Sequence, residues 1–277
     1  MNLNQYSAGA AQPGLNIEKL NQLFIAVPPI QEQKSISEKI DVLSRNLIDI
    51  DVSKEELSDY IKNAKSKILD LAIRGKLVPQ NPNDEPASVL LERIKSQHPE
   101  SKKKVPKTSD NSHYTDTFGI PKNWEVITMQ EICNLSDGEK IEGKTLPYLD
   151  VKYLRGKSDA NILSSGKFVQ KNNFMILVDG ENSGEIFLVK EDGYQGSTFK
   201  ILNMSDNVYK DFVFKILQKE QTTFKESKVG SAIPHLNKKL FRELLVFLPP
   251  LEEQKRIVKK VKDIFTSLDE IANSIKA

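Results

Sequence analysis

Between positions 140 and 171 the chain carries seven cations, Lys140, Lys144, Lys152, Arg155, Lys157, Lys167 and Lys171, against three carboxylates, Glu142, Asp150 and Asp159. The central run, EGKTLPYLDVKYLRGKSD, adds Tyr148, Tyr153 and Ser158 in a loop-prone context. Arginine is the side chain best suited to a two-pronged contact with guanine, while lysine and serine or threonine tend to hold phosphate. The alternative is a solvated basic loop, because positions 114–250 hold 18 basic and 18 acidic side chains and so carry no overall field.

Residues for covalent or metal chemistry are scarce. There is no glycine-rich phosphate loop, no H-E-x-x-H and no cysteine cluster, and neither His113 nor His235 has an obvious partner for base or metal chemistry. Acidic pairs such as Glu191-Asp192 are ordinary surface. The expectation is a non-catalytic protein with no metal and no cofactor.

The elements that must position the basic stretch read as strands. Short apolar runs such as WEVITM, FMILVDG, EIFLVKEDG, FKILNM and LLVFLPP alternate with Gly, Asn and Asp from Tyr114 to Leu248, the texture of a strand-rich α+β domain with few helices. Flanking it is an internal repeat, a feature that reorganises any reading of a chain. The segment from Gly9 lines up without a gap on Gly230 onward. Pro13 meets Pro234, Leu15-Asn16 meets Leu236-Asn237, Pro28-Pro29 meets Pro249-Pro250, and Glu32-Gln33-Lys34 meets Glu253-Gln254-Lys255. The chain therefore reads as one full unit preceded by the tail of another whose body is missing.

Each copy runs on into a heptad seam. Ile36, Ile40, Leu43, Leu47, Ile50, Leu57, Ile61, Ala64, Ile68 and Leu71 step by fours and threes with only Lys54 out of place, and Ile257, Val261, Ile264, Leu268, Ile271 and Ile275 repeat the pattern. The double prolines suit a helix start, and Glu32, Glu252 and Glu253 suit the positive end of the helix dipole. A helix from Gln31 to Arg74 would run roughly 65 Å. Ser53 and Glu56 sit at capping-box spacing and could divide it, but the seam keeps register across them, which favours one helix. A helical hairpin packed on a core is the bland alternative; two matched seams favour pairing with each other or with a second copy. Gly75 fits a helix C-terminus, Ala87 to Ser96 reads as a short helix, and 99–112 as a polar lysine-bearing linker, whose Lys102 to Lys104 more often is solvated than bound to phosphate.

The 277 residues are 38% hydrophobic and 28% charged with a formal net charge of +2, which suits about two soluble folding units. One cysteine, Cys133, excludes a disulfide framework and fits a reducing compartment. The N-terminus lacks the basic start and apolar core of a secretory signal, and no segment has the length of a membrane span. The expectation is a cytoplasmic protein with no membrane contact.

PPLEEQKRIVKKV with its partner PPIQEQKSISEKI, the junction ILDLAIRGKLVPQNPNDEPASVLLERIK and the opening FGIPKNWEVITMQEI together resemble the specificity subunits of type I restriction-modification systems. The resemblance covers nearly the whole chain. It implies target recognition domains held apart by long antiparallel coiled-coil spacer helices. Each domain would read half of a bipartite double-stranded DNA site, and the helices would carry methyltransferase subunits and, through them, the restriction subunit. On this pattern 1–30 is the remnant of a preceding recognition domain, 31–75 the long spacer helix, 76–113 a short helix and linker, 114–250 the recognition domain and 251–277 the C-terminal spacer helix. The family's first recognition domain is absent, so the chain is expected to be a half-length or truncated form that pairs with a second copy or another specificity subunit. The other reading is a remnant that pairs through its coiled coil without reading DNA. Residues 1–27, lacking the rest of their domain, are expected to be mobile or to add to another chain's edge.

Residue pattern and resemblance agree on roles. Lys140, Lys144, Lys152, Tyr153, Arg155 and Lys157 are the first candidates for DNA contact, with Asn182, Ser183, Lys200, Lys228 and Ser231 behind them. Ile36, Ile40, Leu43, Leu47, Leu57, Ile61 and Ile68 on the first seam, and Ile257, Val261, Ile264, Leu268 and Ile271 on the second, are the candidates for helix pairing.

Overall fold

The computed structural model describes residues 7–8, 14–15, 27–97, 119–230 and 234–276. Ser231, the run 98–118 and most of residues 1–27 lie outside the described residues, and with them the expectation for the N-terminal segment. The chain is α+β and divides into two compact units, Met1–Ser58 and Asp59–Ala277.

In the first unit, β1 (Ser7–Ala8) pairs antiparallel with β2 (Gly14–Leu15). The unit also takes in the first part of α1 (Ile30–Ile73), a single 44-residue helix. Its start is stapled by Gln33, whose backbone N–H donates to Pro29 O at 3.0 Å and whose Nε2 donates to Pro28 O at 2.7 Å. The helix is not divided at the capping-box spacing. Ser53 Oγ donates to Asp49 O, one turn back, at 2.8 Å, so the hydroxyl is spent on the helix it sits in rather than on a new N-terminus. The seam is bare over these turns: Ile36, Ile40, Leu43, Leu47 and Ile50 are all exposed, Leu47 by 63%.

In the second unit, several seam residues of its own helices are buried, Ile61, Ile257 and Val261 among them. α1 stops at a left-handed glycine, Gly75 (φ 69°). Lys76 N–H bonds Leu71 O at 2.9 Å and Gly75 N–H bonds Ala72 O at 3.3 Å, the two-bond arrangement that satisfies the last carbonyls of a helix. After α2 (Ala87–Gln97) and the body described below, α7 (Leu251–Lys276) begins as α1 does, with Gln254 N–H on Pro250 O at 3.0 Å and Gln254 Nε2 on Pro249 O at 2.9 Å. The two copies of the repeat thus share their local geometry and differ in burial. Glu253 and Gln254 are fully buried. Glu253 accepts from Trp124 Nε1 at 3.0 Å and from Gln80 Nε2 at 2.5 Å, while Gln254 Oε1 accepts from the Tyr209 N–H at 2.8 Å. Arg256 forks onto Asp84, with Nη2 to Oδ2 at 2.6 Å.

α7 runs antiparallel to the last turns of α1. Lys65 pairs with Asp269, whereas residues following α1 meet the start of α7 through Gln80 and Glu253. Leu69, Ala72, Ile257, Val258 and Val261 belong to one core. Ile61 is buried and Ile68 packs on that core, Leu57, Ile264 and Leu268 are half-buried, and Ile271 is exposed. Seam residues near the body are therefore covered, and those farther along are not.

The body is built on three small sheets. β3 (Glu125–Thr128) and β11 (Leu245–Leu248) pair antiparallel from Val246↔Ile127 outward, followed in the chain by the short α3 (Met129–Ile132). A four-stranded antiparallel sheet has the order β4 (Cys133–Ser136), β10 (Phe199–Met204), β7 (Phe174–Leu177) and β8 (Ile186–Leu188). β7 reads FMIL and is buried at all four positions, as a central strand covered on both faces must be. β5 (Lys140–Leu149), β6 (Ile162–Val169) and β9 (Gly193–Gln195) close on one another, with β5 parallel to β9 at Tyr148↔Tyr194. Glycine at 166 lets β6 approach that tyrosine, because a Cβ there would sit 2.8 Å from the Tyr194 ring. Leu149, Val169, Met175, Leu177, Val189, Phe199 and Ile201 form a second core between these strands. Helices α4 (Val151–Leu154), α5 (Lys210–Glu226) and α6 (Lys238–Glu243) complete the unit. Cys133 is fully buried, and burial pushes its thiol up to about 12, so it is inert packing rather than a nucleophile.

Candidate nucleic-acid interface

The basic stretch folds into β5, α4 and the turn after α4. Asp150 caps α4 by accepting from Tyr153 N–H at 2.8 Å. The helix then stops as α1 does: Gly156 (φ 67°) follows the C-cap Arg155, Gly156 N–H bonds Tyr153 O at 2.8 Å and Lys157 N–H bonds Lys152 O at 2.9 Å. A one-turn helix closed at both ends fixes the backbone of Arg155 and Lys157.

A second loop meets this turn. From Asp179 to Glu185 the sequence DGENSGE folds tightly, with Ser183 N–H on Gly180 O at 3.0 Å and Glu185 N–H on Asn182 O at 3.1 Å. Gly184 (φ 99°) lies so close to α5 that a Cβ would stand 2.6 Å from Phe224 Cβ. That approach sets Asn182 and Ser183 beside Gln221 and Lys225. Arg155 fastens the two loops together, its Nε donating to Glu185 Oε1 at 3.2 Å and its Nη2 to Glu185 Oε2. The Glu185 hydrogen bond raises the Arg155 pKa further, so the guanidinium stays charged. Arg155, Lys157, Asn182, Ser183 and Glu185, with Gln221 and Lys225 of α5, line one open pocket of about 360 Å³.

Four of the sequence candidates thus converge: Arg155, Lys157, Asn182 and Ser183. The other candidates among the described residues are not in the pocket lining, and most are already engaged. Lys140 is exposed on β5 and pairs with Glu142 at 3.5 Å. Lys144 lies over the Phe168 ring, 5.4 Å from its centroid. Tyr153 Oη donates to Glu191, whose hydrogen bond and charge raise the phenol pKa. Lys200 bonds Asp137 at 2.5 Å, and Lys167 reaches the same carboxylate at 3.0 Å. The Lys200 bond, supported by Lys167 and Gln195, holds Asp137 well below the usual carboxylate range. Lys228 donates to Glu181 O at 2.8 Å. Lys152 is exposed with no ion-pair partner among the described residues. Glu185, Gln221 and Lys225 escape a reading of the sequence, because they lie 28 or more residues from the basic stretch's centre and carry no spacing signal.

Among the described residues no group of His, Cys, Asp and Glu is placed to hold a metal ion, and no helix is long and apolar enough to cross a membrane.

The described residues thus hold an α+β body with a polar, partly basic pocket and two helices that each start on a proline pair. The model of the type I restriction modification DNA specificity domain matches residues 1–57 and 121–277, and the chain belongs to that family. It is 32% identical over 169 residues to the MjaVIII specificity subunit of Methanocaldococcus jannaschii, a match covering 57% of this chain and 39% of that one. With the EcoBI specificity subunit of Escherichia coli it shares 24% identity, over 99% of this chain and 58% of the relative. The HsdS subunit of Thermoanaerobacter tengcongensis has a similar fold, with a TM-score of 0.54 at 16% identity over 99% of this chain and 59% of that one. A chain from a structural study of complex assembly and conformational transition in a type I R-M system aligns with a TM-score of 0.57 at 16% identity, over 97% and 60%. The chain therefore spans less than two thirds of the length of each of these relatives.

Proposed function

We propose that the chain is a sequence-specific DNA-recognition subunit of a type I restriction-modification complex, non-catalytic itself, reading half of a bipartite site and carrying methyltransferase subunits on its helices. The observation that carries this reading is the convergence of Arg155, Lys157, Asn182 and Ser183 with Lys225 on one polar pocket, in a chain of the specificity-domain family. One such body reads only a few base pairs, and single mismatches are worth about 1–3 kcal/mol each, so a second body is needed for a specific site. The bare apolar seam of α1, from Ile36 to Ile50, supports pairing with a second copy. Twofold pairing makes the target a palindrome with a nonspecific gap.

One observation favours a second reading. Lys140, Arg155, Lys200 and Lys228 are all answered by carboxylates of the same chain, as they would be in a protein that pairs through its coiled coil with a full specificity or methyltransferase subunit and does not read DNA. A single-molecule methylome separates the two. Cells expressing this chain with a matching methyltransferase subunit are compared with cells holding the methyltransferase alone. A new gapped palindromic motif supports the recognition dimer, and an asymmetric motif means a borrowed second body. Association of the proteins without new methylation refutes the first reading in favour of the second.

A further inference from the structure

Ser183 is fully buried, and its Oγ is the one buried side-chain oxygen or nitrogen among the described residues that has no hydrogen-bond partner. An unanswered buried hydroxyl is costly and rare enough to need a reason. Here the serine lines the same pocket as Lys157 and Lys225. Those two lysines are exposed and have no carboxylate partner among the described residues, whereas the charge of Arg155 is already met by Glu185. Asn182 and Gln221 add carboxamide donors, and no aromatic or aliphatic side chain lines the cavity. A nucleobase would find nothing to stack on, since bases drawn into protein pockets are gripped by aromatic or apolar faces. An anion with several acceptor oxygens meets two unpaired cations and amides, with the Ser183 hydroxyl, closed to solvent in the free chain and in want of an acceptor, in the wall behind them.

We infer that this pocket is a seat for a backbone phosphate of DNA, its non-bridging oxygens taken by Lys157, Lys225 and the Ser183 hydroxyl, which turns outward about its Cα–Cβ bond to gain the acceptor it lacks in the free chain. The inference rests on the DNA-recognition reading and adds a division of labour to it. The seat fixes the position of the duplex without reading sequence, and the Arg155–Glu185 pair at its edge is left to face a base. Because phosphate contacts position and base contacts specify, the seat works on any duplex.

The test needs no knowledge of the target. The full-length chain is titrated with a random-sequence duplex of about 30 base pairs, followed by fluorescence anisotropy over a series of salt concentrations. Each phosphate-bound lysine contributes close to one unit to the slope of log affinity against log salt. K157Q/K225Q is expected to lower the slope by about two, while K259Q/K260Q, on exposed positions of α7, leaves it unchanged. S183A separates a ligand contact from a packing defect. Removing an unsatisfied buried hydroxyl leaves the Tm equal or higher, yet loss of a donor to phosphate weakens duplex binding about tenfold. S183A with a higher Tm and parental affinity overturns the proposal, as does an unchanged slope in K157Q/K225Q. A parent chain that binds no duplex at any salt removes the recognition reading together with this one. Inorganic phosphate, added at constant ionic strength, distinguishes the source: if it raises the Tm of the parent but not of S183A, while the duplex slopes of parent and K157Q/K225Q agree, the seat takes free phosphate and the backbone assignment fails.

Discussion

Two glutamates at equivalent positions of the repeat, Glu32 and Glu253, provide a test of what packing adds to sequence. Both follow a proline pair, and both precede a glutamine that staples its helix start to that pair. Glu32 is exposed. Glu253 is fully buried and is the acceptor for the Trp124 indole N–H and the Gln80 amide. Alanine at 253 strands an indole N–H on a residue only 3% exposed, at about 1–3 kcal/mol. Gln80 is exposed and regains water, and removing a desolvated carboxylate returns part of the loss. The net expectation for Glu253→Ala is a destabilisation of about 2 kcal/mol, against less than about 0.5 kcal/mol for Glu32→Ala. Urea denaturation at concentrations where the chain is monomeric measures both, read by tryptophan fluorescence, since the single tryptophan of the chain is the residue at the site. Equal effects at 32 and 253 would refute the assignment of the stability to the Trp124 contact rather than to the repeated motif.

The same carboxylate predicts a pH dependence. Burial raises the Glu253 pKa, against the lowering effect of Trp124 and Gln80, so its contribution is full below the unfolded pKa and is lost as pH rises through the folded one. Glu253→Gln is therefore expected to gain stability relative to the parent as pH climbs above about 4.3, the ordinary glutamate value; parallel Tm–pH curves would exclude this. Asp137 has the opposite sign. The Lys200 bond lowers its pKa, so its contribution is present above the unfolded value and lost on acidification, and Asp137→Asn should flatten the acid limb of the Tm–pH curve below about pH 4. Arg155→Ala should weaken binding to the target sequence by about 1–3 kcal/mol, the worth of a bidentate base contact; parental affinity for the target would sink that assignment. Leu43→Glu with Leu47→Glu alters two residues exposed by 61% and 63%, so the monomer's Tm should hold while self-association, followed by sedimentation equilibrium, is lost; an unchanged mass distribution in a chain that does associate would place the pairing surface elsewhere.

The helices were legible because their signals are local. A seven-residue apolar step, a proline pair at the start and a glycine at the end are each read within a few residues, and α1 runs from Ile30 to Ile73 with Gly75 left-handed behind it. The strand-rich texture was legible for the same reason, but its pairing was not. β10 inserts between β4 and β7, and β5 lies parallel to β9 across 46 residues at Tyr148↔Tyr194. No residue of Lys140–Leu149 states that partner, because the register is set by which faces bury together once the chain has closed a long loop.

The interface divides along the same line. Counting cations between 140 and 171 finds Arg155 and Lys157 but does not say which charges survive folding, since the neutralising groups come from far away: Glu185 for Arg155, Glu181 for Lys228, Asp137 for Lys200. Pairing with carboxylates of the same chain answers Lys140, Arg155, Lys167, Lys200 and Lys228 and leaves as remainder Lys157 and Lys225, the unpaired cations that share the pocket. That remainder exists because Gly184 lets the loop settle on Phe224, and a bulkier residue there would push Ser183 away from α5 and separate the two lysines. The local balance of charge at this pocket is therefore a property of loop packing more than of composition, which is why a chain with balanced charge can still hold two unpaired lysines in one place.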